Sequence, residues 1–85
     1  MKKFGIKSNG TFRLSFGDLD RASFYLVGYL GEDATVELLC YGEVFHTMEK
    51  VDPVIVTMGR GAPLEVRITG ATEFTDSRLI AHEVR

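Results

Sequence analysis

Apolar and polar residues alternate along several short segments of the chain, with the period of two that is typical of a β-strand with one buried face. These segments are 4–7, 11–16 and 64–69. Two further strands are predicted at 35–41, which is rich in Val, Leu and Tyr, and at 44–48, its partner strand after the tight turn Gly42-Glu43. Asn9-Gly10 separates the first two and is a strong β-hairpin turn signal. The segment that follows places Phe12, Leu14 and Phe16 on one face. It is either the second strand of a hairpin or a loop that inserts aromatic side chains into the core.

A longer segment, 19–30, has the spacing of an amphipathic helix. Ala22, Leu26 and Leu30 recur every four residues, and other apolar residues widen this stripe. Gly31 would end the helix in a left-handed conformation. We therefore expect a helix that packs on a neighbouring sheet.

A second helix is predicted at the end of the chain, over 75–85. A Thr or Asp at its start would accept hydrogen bonds from the free N–H groups of the first turn. Leu79, Ile80 and Val84 would form its apolar face.

The segment 53–58 carries conflicting signals. Asp52, Pro53 and Gly59 suit the start and end of a short helix. The residues between them, 54–57, are β-branched and favour a strand. Both readings stay open, and the chain as a whole is predicted to be a single α+β domain over 1–85.

Length and charge narrow the classes of function. Eighty-five residues form one domain, with little room for a deep pocket. The net charge of −2 opposes nucleic-acid binding, which favours a basic excess. Apolar runs are too short to cross a membrane, and the first residues lack the apolar core of a signal peptide. The single cysteine, Cys40, has no disulfide partner within the chain, so we expect a cytoplasmic protein.

The imidazoles do not indicate a catalytic or metal site. His46 and His82 are the only histidines, and neither has a nucleophile or second ligand at a recognised spacing. We expect structural or surface roles for both, and we expect neither a cofactor nor a metal. The interpretation is a binding protein and not an enzyme.

Two stretches of the chain resemble the HPr family, the small phosphocarriers of the bacterial sugar phosphotransferase system. Residues 22–43 are similar in the alanine-led helix, the Asp-Ala connection, the Val-x-Leu strand and the glycine turn. Residues 61–71 are similar to the family's Gly-Ala-x-Ile-x-Ile strand and its Gly-Ala exit, and the opening Met-Lys-Lys-Phe-x-Ile also fits. The resemblance implies an open-faced β-sandwich, in which helices cover one face of a four-stranded antiparallel sheet in the order βαββαβα.

The family's phosphohistidine is missing from this chain. The resemblance places that position on Asp18, with Leu19, Asp20 and Arg21 around it, and no histidine precedes His46. The family's regulatory serine falls on Glu49, whose carboxylate would mimic a phosphoserine with about half the charge. The resemblance therefore implies a regulatory member that does not carry phosphate.

Three hypotheses follow for the function. The first is a diverged HPr-like module that binds another protein, such as a phosphotransferase-system or transcription-regulatory protein, and exists as a monomer or weak homodimer. Its expected contact residues are Phe16, Leu19, Phe24, Val54 and Met58. The second is a phosphocarrier with a shifted acceptor, Asp18 or His46. The third is an unrelated α+β subunit that pairs through its strand at Phe12, Leu14 and Phe16.

Overall fold

The computed structural model describes residues 2–14, 21–48, 54–57 and 63–84, and these ranges contain strands and loops but no helix. The strands are β1 (Lys2–Gly5), β2 (Gly10–Leu14), β3 (Arg21–Tyr29), β4 (Thr35–Cys40), β5 (Glu43–Met48), β6 (Val54–Thr57), β7 (Leu64–Thr69) and β8 (Thr75–Glu83). All strand pairs are antiparallel. The α+β prediction is therefore wrong, and so is the implied βαββαβα order.

The strands form two sheets of four. Sheet A has the order β1-β8-β3-β6, and sheet B has the order β2-β7-β4-β5. Alternate residues of both sheets contribute to one buried apolar cluster, so the sheets pack face to face. Its largest fully buried strand side chains are Phe24 and Leu79 of sheet A and Leu38, Leu64 and Ile68 of sheet B.

The segment predicted as the first helix is strand β3. A spacing of four residues fits a helical period of 3.6, but it is also two repeats of the strand period. Ala22, Phe24 and Leu26 all point into the core, while the residues between them are more exposed. The aromatic and β-branched content of this segment favours the extended conformation, and that preference prevails.

The predicted terminal helix is strand β8, for the same reason. Leu79 and Ala81 are both buried completely on the core side, and Ile80 lies on the opposite face. Pairing with β3 on one side and β1 on the other satisfies the backbone of β8 in the middle of sheet A.

The predicted hairpin at Asn9-Gly10 does not form. β1 pairs with β8 and β2 pairs with β7, so the chain changes sheets between them. The Asn9 side chain has a different role. Its amide nitrogen donates to the Ala71 carbonyl at 3.0 Å, and its Oδ1 accepts from the Ala71 N–H at 2.9 Å. The side chain thereby replaces a backbone partner where the two loops meet.

The remaining strand predictions are confirmed. Segments 35–41, 44–48 and 64–69 correspond to β4, β5 and β7. The turn between β4 and β5 centres on Tyr41 and Gly42, both with positive φ angles of 52° and 77°, as hairpin turns of this length require. The ambiguous segment is a strand, β6, as its β-branched residues favour.

A bulge near Gly28 fixes the register of the central pair of sheet A. Asp76 and Ser77 of β8 both lie opposite this one residue of β3, between the pairs Val27–Arg78 and Tyr29–Thr75. Gly28 has a φ of +96°, and a Cβ there would lie 2.7 Å from the Ser77 Cα. Only glycine fits this position without displacing the neighbouring strand.

Replacing Gly28 with alanine is expected to lower the free energy of unfolding by at least about 2 kcal/mol, because φ strain and backbone overlap add. Gly42→Ala is a matched control. The φ of Gly42 is also positive, at +77°, but a Cβ added there would have no atom of another part of the chain within 4 Å. This variant should lose only about 1 kcal/mol. Chemical denaturation measures both. Equal losses would contradict the assignment of Gly28 to a close backbone contact.

Candidate functional site

The outward side of sheet A carries the most distinctive set of side chains in the described part of the chain. Strand alternation directs every second residue away from the core. Up to the bulge, we call these residues the sheet A outer face: Lys3, Gly5, Arg21, Ser23, Tyr25, Val27, Ile55, Thr57, Arg78, Ile80 and His82.

Aromatic and aliphatic side chains occupy the centre of this face. The rings of Tyr25 and His82 stack at 5.5 Å between centroids and 12° between planes. Their Oη and Nε2 atoms are 3.0 Å apart, within hydrogen-bond distance. Ile80 is only 5% exposed although it points away from the core, because its neighbours in the sheet cover it. Ile55 is 54% exposed and extends the apolar surface onto β6.

Cations surround this centre. Lys3 lies on β1, Arg21 at the start of β3, and Arg78 on β8. Among the described residues, no Asp or Glu occupies an outward position of sheet A before the bulge. The Arg78 Nε is buried, and among the described residues it has no hydrogen-bond partner. The face is therefore cationic although the chain has a net charge of −2.

The outer face of sheet B shows the opposite arrangement of charge. Arg67 donates to Glu37 at 3.0 Å across β7 and β4, and Arg13 of β2 lies directly opposite Glu65 of β7. Opposite charges on neighbouring strands compensate each other. Sheet B thus presents a face with balanced charge, and sheet A a face with excess positive charge.

A second apolar patch lies at the β4–β5 hairpin. Tyr41 is 77% exposed at the turn, and Val44 and Phe45 are 42% and 45% exposed on the edge strand. Phe45 is the extra residue of a bulge, since Leu38 pairs with His46 and Leu39 with Val44. A bulge on an edge strand hinders the addition of another strand.

A polar cleft of about 280 Å³ lies between the loops that follow β3 and β7, lined by Tyr29, Gly31, Glu32, Asp33, Gly70, Thr72 and Glu73. Its three carboxylates suggest a cation site. Among the described residues, however, no group of three or more His, Cys, Asp or Glu has an arrangement that could hold a metal ion.

Most of the residues predicted at the functional site lie outside the described ranges. This applies to the family's phosphohistidine position, to its regulatory serine position and to several predicted contacts. These residues are Phe16, Asp18, Leu19, Asp20, Glu49 and Met58.

The structure describes the other predicted site residues. Phe24, expected to contact a partner, is 1% exposed in the core, and Val54 packs partly buried against the same core. Arg21 is exposed on the sheet A outer face. His46, the alternative phosphoacceptor, is half-buried opposite Leu38.

The residues proposed for strand pairing differ in their exposure to solvent. Phe12 is 39% exposed and Leu14 is 5% exposed on β2, an edge strand of sheet B. The apolar stripe expected at the surface is therefore reduced to one aromatic ring within the described part of this strand.

Sequence reasoning missed the Tyr25–His82 pair, which joins residues 57 positions apart. No local sequence motif indicates a contact between residues this far apart in the chain. The continuous apolar runs Phe24–Val27 and Leu79–Ala81 hide the period of two in the sequence. Only after both segments are read as strands does the position of each ring on the outward face follow.

Comparisons with known proteins give no family assignment. No protein-family model, curated protein or solved structure matches the chain. The described ranges also contain no helix long and apolar enough to cross a membrane.

Tyr25 tests how far the central cluster stabilises the fold. Tyr25→Ala removes the stack and uncovers Ile80, so we expect a loss of about 2 kcal/mol in the free energy of unfolding. Tyr25→Phe keeps the ring and loses only the hydroxyl contact, which costs under about 1 kcal/mol at an exposed site. Thermal and urea unfolding measure both. A loss for Tyr25→Phe as large as that for Tyr25→Ala would show that the hydroxyl, and not the ring, supports this face.

Proposed function

We propose that this chain is a non-catalytic recognition module that binds another protein through the sheet A outer face. The observation that supports the proposal is a difference in charge between the two outer faces of the sandwich. On sheet B, Arg67 forms an ion pair with Glu37 and Arg13 lies opposite Glu65, whereas on sheet A the described residues place Arg21, Arg78 and Lys3 around an aromatic and aliphatic centre.

The composition of the face is that of a protein interface. Tyrosine and arginine are enriched at such surfaces, and acidic residues are depleted at their centres. Tyr25 is already held in place by His82 and the strand beneath it. A partner would therefore meet a preformed surface, with little loss of side-chain freedom on binding.

The size of the face indicates a modest interface. Four strands spaced ~4.8 Å apart and six residues rising ~3.4 Å each span roughly 15 by 20 Å. The area of this footprint, roughly 300 Å², is well below the ~800 Å² that each partner contributes to a standard stable complex. We therefore expect a transient complex, or a complex that also uses neighbouring loops.

Association of two copies through this face is disfavoured. A twofold, face-to-face dimer places the same cations against each other, and like charges across an interface oppose binding. The predicted cytoplasmic location and the monomeric or weakly dimeric state stay predictions from the sequence.

Site-specific photo-cross-linking tests the proposal. We expect a photoreactive amino acid at position 55, introduced in the cells that make the protein, to form a discrete adduct with one other protein. The control position is Thr11, which is exposed on the outer face of sheet B. It should give no such adduct. The absence of an adduct from position 55, or the same adduct from both positions, would contradict the proposed interface.

The resemblance to the HPr family stays a prediction, although the fold that it implied is wrong for this chain. Incubation with phosphoenolpyruvate and the family's phosphotransferase enzyme I tests its functional part. We expect no acid-labile phosphate on the protein, because Asp18 replaces the histidine. Acid-labile phosphate that is lost in His46→Ala would instead establish the shifted-acceptor hypothesis.

A further inference from the structure

We infer that the partner presents an acidic, extended polypeptide segment to the sheet A outer face, with an apolar residue between two acidic ends. This inference rests on the proposed function and adds the chemistry of the partner to it.

The distances between the three cations indicate how long the acidic segment of the partner is. Lys3 pairs with Ile80, and Arg78 is two residues away on β8, which puts Lys3 and Arg78 about 8 Å apart at one end. Arg21 lies six residues along β3 from Val27, the partner of Arg78. It is therefore about 17–21 Å from the other two. An extended segment of five to seven residues covers this distance at ~3.4 Å per residue.

Arg78 supplies the strongest single attraction for a carboxylate. Its Nε is buried and without a hydrogen-bond partner among the described residues. Asp76, the nearest carboxylate along β8, lies at the bulge and does not accept from this nitrogen. A buried donor without an acceptor is unfavourable, and a carboxylate can accept from the guanidinium through two parallel bonds. The Nε itself has almost no accessible surface, so an acidic side chain from outside would meet the accessible part of the Arg78 guanidinium, on a side chain that is only partly buried.

The centre of the face favours an aliphatic or aromatic side chain from the partner. Ile55 is 54% exposed, and it pairs with Ser23 next to the Tyr25–His82 stack. Covering such an apolar side chain gains roughly 25 cal/mol per Å² of area removed from water. An acidic segment with an apolar middle residue therefore complements both the rim and the centre.

A polypeptide fits this face better than a nucleic acid does. Stacking of bases needs open aromatic ring faces, and His82 already covers one face of the Tyr25 ring. The net charge of −2 would also repel a polyphosphate outside the face. Short acidic peptides avoid this repulsion because their charge is confined to the region of the three cations.

The second-copy alternative uses the acidic cleft. Its carboxylates, from Glu32, Asp33 and Glu73, could meet the sheet A outer face of another molecule head to tail. These residues belong to two short loops and do not form one extended segment. The geometry therefore points to a separate acidic chain.

The test is a titration of the isotopically labelled full chain, followed by its backbone amide NMR shifts. The probe is a ten-residue peptide with two glutamates near each end and leucine and tyrosine between them. We expect saturable shifts on β1, β3, β6 and β8. The same peptide with glutamine in place of glutamate should bind at least about 10-fold more weakly, since charge-assisted contacts are lost. Decathymidylate serves as the nucleic-acid probe and should bind more weakly than the acidic peptide.

Single-charge variants locate the contact. Arg78→Gln is expected to raise the Kd of the acidic peptide about 10-fold, and Lys3→Gln about 3-fold, in line with a partly buried and an exposed ion pair. Arg13→Gln removes the same charge from the exposed outer face of sheet B and should leave the Kd unchanged. Lys3→Gln also provides a measurement that does not depend on how well Arg78→Gln folds.

Several results would overturn the inference. They are shifts confined to sheet B, equal binding of the glutamate and glutamine peptides, tighter binding of decathymidylate, or concentration-dependent shifts without any peptide that show head-to-tail self-association. A discrete cross-link from position 55 together with no peptide binding would reject the acidic segment while the proposed protein interface stands. No cross-link together with specific peptide binding would reject the proposed protein interface, while the affinity of the face for acidic segments would stand.

Discussion

The antiparallel pairing of β3 with β8 is the interaction on which the structure of sheet A and its outer face depends. These two nine-residue strands occupy the centre of the sheet, and β1 and β6 each reach it only by pairing with one of them. The same pairing serves two surfaces. Its inward residues, such as Phe24 and Leu79, fill the core, and its outward residues bring Tyr25 against His82. A change of register by one residue would exchange these sets, so the glycine bulge at the end of the pair protects the core and the face together.

The pairing also joins distant parts of the chain. Residues 21–29 meet residues 75–83, so sheet A cannot be completed until nearly all of the chain is available. Such long-range contacts slow folding, because the entropy of closing the loop is lost before the contacts are gained. Sheet B contains a local hairpin, β4–β5, whose turn is favoured by Gly42. We expect this hairpin to form early and the β3–β8 pair to form late, an order that φ-value measurements at Leu38 and Phe24 would examine.

The sequence predicted the part of the fold that depends on local signals. β7 alternates clearly, β4 is rich in Val and Leu, and the boundaries of β4 and β5 follow from the turn residues between them. β3 and β8 were read as helices because apolar residues spaced by four satisfy both periods, and only pairing across the sheet decides between them. The candidate site was beyond sequence reasoning for a related reason. Tyr25 and His82 carry no motif, and Arg78 gains its meaning only when the burial of its Nε is known.

The net charge shows that sequence-based prediction is limited for electrostatics as well. A total of −2 opposes nucleic-acid binding, but a total does not describe how charges are placed. On sheet B, Glu37 and Arg67 neutralise each other over 3.0 Å, so this pair contributes little field beyond its own strands. On sheet A, none of the described outward positions before the bulge carries a carboxylate that would oppose the field of the cations. Recognition depends on this local field, because screening in salt confines it to about 8–10 Å. A weakly acidic chain can therefore carry a cationic face, which is the basis of the proposed acidic partner.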